Sequence, residues 1–118
     1  MRMNEVEFDD SRPVDGYGPG FFRVGGEVLK GSVLLLPSGP GLWQGYEDAA
    51  PILAAAAEID VLLVGTGKEI AHPPRAFRGA LDAAGIGMEV MASPAACRTY
   101  NVLLAEGRRV GAAMLVVE

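Results

Sequence analysis

The sequence predicts an α/β sandwich: an N-terminal β-hairpin, then strand–helix repeats whose later strands run mostly parallel, with about three helices. Three observations carry this. Two short runs that are apolar on both faces, Ser32-Val33-Leu34-Leu35-Leu36 and Val61-Leu62-Leu63-Val64, read as interior strands covered on both sides, and Ile86 to Met91 gives a third strand. Segments of helical period lie between and after them, and glycine- and proline-rich breaks punctuate the whole. The chain has 118 residues, half of them hydrophobic, and a single cysteine, so one domain resting on an apolar core is expected over 1–118.

In chain order, Asp9 to Gly20 holds Pro13, Gly16, Gly18 and Pro19 and reads as part of an irregular N-terminal arm over 1–20. Phe21-Phe22-Arg23-Val24 and Glu27-Val28-Leu29-Lys30 flank Gly25-Gly26, a pair suited to a type I′ hairpin turn with φ > 0 at both positions. The second arm continues into Ser32–Leu36, which Pro37-Ser38-Gly39-Pro40-Gly41 ends. From Tyr46 to Glu58 the apolar residues Ala49, Ile52, Leu53, Ala56 and Ala57 follow one helix face. Val61–Val64 is stopped by Gly65-Thr66-Gly67. After His72-Pro73-Pro74 a second helix places Phe77, Ala80, Leu81 and Ala84 on one side and stops at Gly85. Ser93-Pro94 reads as a hydroxyl cap followed by proline at the first helical position, opening a helix to about Glu106. Arg108 to Val117 closes the chain as a last strand.

Sixteen glycines and eight prolines are about a fifth of the chain, yet the hydrophobic content is too high for disorder. The net charge is −5, with −6 in residues 1–60 and +1 in residues 61–118. An acidic chain repels phosphate backbones, which argues against nucleic-acid binding. The first ten residues lack the character of a signal or organelle presequence, and no apolar run approaches the ~20 residues that span a bilayer. A soluble, cytoplasmic protein without membrane insertion is expected.

Several residues invite a chemical reading, and each has a plainer one. Gly65-Thr66-Gly67-Lys68 offers backbone amides and a cation to a phosphate. But Glu69 follows Lys68, and Ile70 stands where a dinucleotide fingerprint wants glycine, so a tight strand-exit turn comes first. Cys97, beside Arg98 in the first turns of a helix, has two influences that favour thiolate, but Ala95 and Ala96 beside it suit a buried structural cysteine. His72 has no sequence-near ligand set, and no metal or cofactor is expected. Thr99, Tyr100 and Asn101 are polar groups in a largely apolar helix whose first use is bonding neighbouring loops, with ligand contact second. Trp43 reads as a packing anchor.

One geometric expectation joins these residues. With strands 32–36, 61–64 and 86–91 parallel, the loops Ser38–Gly41, Gly65–Lys68 and Ala92–Arg98 leave one sheet edge, where open α/β sheets hold ligands. A pocket for a small anionic or polar ligand would then gather Ser38, Gly39, Gly65, Thr66, Gly67, Lys68, Ser93, Cys97, Arg98 and Asn101.

The run from Gly85 to Glu118, with Gly85-Ile86-Gly87-Met88-Glu89-Val90-Met91-Ala92-Ser93, Ala96-Cys97-Arg98-Thr99-Tyr100-Asn101 and Glu106-Gly107-Arg108-Arg109-Val110, resembles the hallmark segment of domain-of-unknown-function family 498. Gly31–Pro37, Trp43 and Leu63-Val64-Gly65-Thr66-Gly67 fall in that family's order, and the resemblance runs from about Tyr17 onward. It implies a compact three-layer domain around a mixed, largely parallel sheet. Eukaryotic relatives include a mitochondrial complex I assembly factor and an adipogenesis-associated protein, neither resembling a classical enzyme, and no catalytic residues carry over. The expectation is a non-enzymatic protein-interaction or assembly-factor-like module with a protein partner still to be identified. The alternative is a small anionic-ligand domain or enzyme at the strand-exit edge. A long apolar strand at a sheet edge would also allow a homodimer.

Overall fold

The computed structural model describes residues 10–118. Strands β1 (Val14–Gly18), β2 (Phe21–Val24) and β3 (Glu27–Lys30) form a three-stranded antiparallel sheet. Strands β4 (Val33–Leu36), β5 (Gly39–Leu42), β6 (Val61–Gly65), β7 (Gly87–Met91) and β8 (Val110–Met114) form a second sheet in the order β5-β4-β8-β6-β7. Helices are α1 (Ala50–Ala54), α2 (Arg75–Ala83) and α3 (Ser93–Ala105). The last three strands are parallel, β6 pairing with both β7 and β8, while β4 is antiparallel to β5 and to β8.

The five-stranded sheet is the middle layer because its strands are apolar on both faces. Val33 and Leu35 of β4, Leu63 of β6, and Val110, Ala112 and Met114 of β8 face one core; Ala96, Cys97 and Tyr100 of α3 and Val14, Phe22 and Val24 of the small sheet complete it. Their sequence neighbours Leu34, Leu36, Leu62, Val64 and Ala113 point the other way, onto Ile52, Phe77, Leu81 and Trp43. The period-2 alternation of strand side chains thus divides one apolar run between two cores.

The turn chemistry acts as expected in the hairpin, where Gly25 and Gly26 have φ of 56° and 86°. It does so again after α2. There Gly85 N–H donates to Asp82 O at 3.0 Å and Ile86 N–H to Leu81 O at 3.0 Å, a Schellman stop sealed by two buried side chains, Ile86 and Leu81. Gly107 ends α3 in the same way, with Arg108 N–H donating to Leu103 O at 3.0 Å.

Four expectations need correction. The arm over 1–20 contains β1, whose residues pair with β2 because Val14 buries against the core while Asp15 sits at a bulge between Val14 and Gly16; residues 1–9 lie outside the described residues. The hairpin arm does not run on into the interior strand, since Gly31 (φ 132°) turns the chain from one sheet to the other. The Pro37–Gly41 break contains a two-residue turn, and β5 folds back on β4 along a glycine-proline edge. The helix expected over 46–58 is limited to the five residues of α1, leaving Leu53 37% exposed.

Because Leu63 is buried in the middle layer with no exposure, Leu63→Ala is expected to cost about 2–5 kcal/mol. Leu42→Ser, on the exposed edge, should stay within about 0.5 kcal/mol. Urea midpoints at unchanged m-value check both.

Candidate functional site

The parallel strands β6 and β7 do end side by side, and the two loops that leave them meet. Gly67 N–H donates to Ser93 Oγ at 2.9 Å, Ser93 N–H returns a bond to Gly67 O at 2.8 Å, and Ser93 Oγ donates to Leu115 O at 2.6 Å. Leu115 N–H closes the group on Gly65 O at 2.8 Å. Thr66 N–H donates to Met91 O at 2.9 Å; its hydroxyl donates to Glu69 O at 2.7 Å and accepts Ala71 N–H at 3.0 Å. Gly65, Thr66, Gly67 and Ser93 are therefore brought together, with these donors and acceptors bonded to one another. A Cβ on Gly65 would lie 2.7 Å from Ser93 Oγ and 3.0 Å from Met114 Cγ, so only glycine fits there.

This changes the role of Ser93. Ala92 occupies the cap position and Ser93 is the first helical residue, with no side-chain cap bond. Its hydroxyl turns into the strand ends instead, where it is fully buried.

Ser38 and Gly39 are not part of the group. With β4 antiparallel to β8, and β8 parallel to β6, the chain leaves β4 at the opposite end of the sheet. They line a separate polar depression of about 390 Å³ with Asp10, Arg12 and Glu27. The parallel orientation expected for strand 32–36 is the step that fails, because β4 turns straight back into β5 rather than crossing over through a helix.

Lys68 is exposed in the loop after Gly67. Cys97, Arg98 and Asn101 line a small depression of about 220 Å³ with Tyr17 and Asp15. Two of these three have structural work. Asn101 Oδ1 accepts Val14 N–H and Asn101 Nδ2 donates to Val14 O, both at 2.8 Å, so the amide stands in for a neighbouring strand along β1. Cys97 is 5% exposed with Sγ 3.7 Å from Met114 Sδ, and burial pushes its thiol up to about 11 against the smaller opposite pull of Arg98. Arg98 is exposed.

A larger feature was missed by sequence reasoning. Ile70, Ala71, His72, Arg78, Met88 and Val90 enclose a cleft of about 400 Å³ between α2, its preceding loop and β7. Ile70 is 67% exposed, a large apolar side chain directly after Lys68-Glu69, and that oddity was the legible signal. The amphipathic character of α2 also hinted at it, because Phe77 and Leu81 turn inward and leave Arg78 outside.

A family model described as a protein of unknown function (DUF498/DUF598) matches residues 14–115. An uncharacterized protein from Rhodobacter capsulatus is 46% identical over 98% of this chain and 93% of its own length. The NADH dehydrogenase (ubiquinone) 1 alpha subcomplex assembly factor 3 of Rattus norvegicus is 28% identical over 98% of this chain, which spans 66% of that relative. A crystal structure described as an outer membrane protein from Bartonella henselae superposes with a TM-score of 0.86 at 38% identity, covering 94% of this chain and 99% of that one. Among the described residues of the present chain, no helix is long and apolar enough to cross a membrane.

Removing the Ser93 hydroxyl strands a buried amide and a carbonyl, so Ser93→Ala should lower stability by about 2–3 kcal/mol and Tm by roughly 10 °C. Scanning calorimetry measures this. The raised Cys97 thiol implies stabilisation that is intact at neutral pH. It is lost as pH climbs from the ordinary thiol range, about 8.5, towards about 11, because the unfolded chain ionises first. Cys97→Ala should flatten that alkaline limb of the stability profile, and native Cys97 should react with iodoacetamide at pH 7.5 more slowly than in the unfolded chain.

Proposed function

We propose that this chain, which belongs to the DUF498/DUF598 family, works as a protein-interaction module that helps a larger complex assemble. The observation that carries the reading is how the polar residues are used. The hydroxyls of Thr66 and Ser93, the amide of Gly67 and the side chain of Asn101 hold strand ends and helix together, and burial disfavours the Cys97 thiolate. A relative named as an assembly factor aligns with almost the whole chain, and that supports the same role.

A second reading keeps a small anionic ligand near Arg98, supported by the depression that Arg98 shares with Tyr17, Asn101 and Asp15, whose carboxylate is engaged by Gly26 N–H. The two diverge in a thermal-shift series. Under the interaction reading, phosphate, nucleotides and small carboxylates at millimolar concentration move Tm by less than about 1 °C. A larger rise that Arg98→Ala abolishes would establish the ligand reading. Affinity purification of the tagged chain from its own host, under mild detergent, should yield a stoichiometric protein partner; repeated recovery of the chain alone would sink the module.

A further inference from the structure

The central sheet has two edges, and they differ. Along β5, Pro40 has no N–H to offer, glycines flank it, and the small sheet packs nearby through β3. Along β7 there is no proline and no bulge. Gly87 N–H donates to Asp60 O at 3.4 Å and Met91 O accepts Thr66 N–H at 2.9 Å, so Gly87, Glu89 and Met91 turn their polar backbone groups towards β6. By the same alternation, the N–H and C=O groups of Met88 and Val90 point away from the sheet.

The side chains of those same two residues form the floor of the 400 Å³ cleft, with Ile70 as its wall. Both titratable residues that line it, His72 and Arg78, are basic, in a chain whose net charge is −5. Among the described residues, an open backbone edge therefore lies directly beside an apolar hole with a basic rim. Strand addition needs these parts: backbone bonds supply affinity, and pockets for alternate side chains supply selection.

We infer that the outer edge of β7 takes an extended segment of a partner protein as a sixth strand. The segment's apolar side chain enters the cleft against Ile70, Met88 and Val90, and an acidic residue two positions away meets Arg78 and His72. Residues two apart on a strand share a face at about 7 Å, which suits both groups to one cleft. The inference rests on the interaction-module reading and names its surface. A second copy of this chain fits poorly, since the fullest antiparallel register of β7 on β7 sets Glu89 opposite the second copy's Glu89, a repulsive pair.

The test uses the 15N-labelled full chain and an eight-residue capped probe in which threonine alternates with leucine and glutamate in turn. Saturable shifts should centre on Ile70, Met88, Glu89 and Val90. Hydrogen exchange of the Met88 and Val90 amides should slow at least tenfold at saturation. Arg78→Glu, an exposed helix position, should weaken binding at least tenfold, as should a probe with lysine for glutamate; Val90→Pro should abolish it. Equal binding of the lysine probe, shifts without amide protection, concentration-dependent shifts at β7 without probe, or no binding at millimolar probe would each overturn the inference. A co-purified host partner retained by both variants would remove the β7 site and leave the module reading standing. Probe binding at β7 without any host partner would do the reverse.

Discussion

The hydroxyl of Ser93 sits where three strands of the central sheet end, and much of the architecture depends on it. It accepts from Gly67 beyond β6 and donates to Leu115 beyond β8, while its own residue opens the helix that follows β7. Three segments distant in sequence are tied through one buried oxygen. That oxygen uses both donor and acceptor capacity, which is the condition for a polar group to be held without exposure. The close approach requires Gly65 to lack a side chain, and the helix then descends over β6 and β8 to bury Ala96, Cys97 and Tyr100.

Asn101 extends the same logic to the small sheet. The first strand of that sheet has a bulge at its start and an outer edge that, among the described residues, no other strand covers. One side-chain amide, with a donor and an acceptor in the spacing of a peptide unit, satisfies both backbone groups of Val14. The small sheet is thereby docked by directional bonds as well as by Phe22 and Val24. The apolar contacts supply burial, and the amide supplies position.

A domain that uses its buried polar groups to hold itself together must meet other molecules through its surface. The asymmetry between the two edges of the central sheet gives that surface a direction. Proline and glycine blunt one edge, while the other, among the described residues, carries open backbone groups beside an apolar cleft with basic residues at its rim. The only acidic residue of that strand, Glu89, discourages pairing with an identical strand without blocking a different one.

Much of the fold was legible in particular residues. Val33 to Leu36 and Val61 to Val64 announced strands covered on both faces, Gly25-Gly26 a hairpin turn, and Gly85 and Gly107 the ends of two helices. These are local matters, set by periodicity of two or 3.6 and by backbone conformations that glycine alone adopts freely. The meeting of the Gly65–Gly67 turn with Ser93 was legible as well, since parallel neighbours release their loops on one side. Strand direction at β4 was not, and with it went Ser38 and Gly39, because an apolar strand reads the same in either sense and only its pairing with β8 decides. Nor could periodicity distinguish Ser93 as a cap from Ser93 as a bridge, or show β7 as an edge. Sequence alone determined the interior strands β4 and β6, the helices α2 and α3 and the glycines that stop them, because each answers to its own neighbours, whereas β1, β5 and the shortness of α1 depend on contacts with other segments. The tertiary structure alone decided which polar groups are consumed and which edge stays open, because hydrogen-bond partners and strand order are set between segments far apart in the chain.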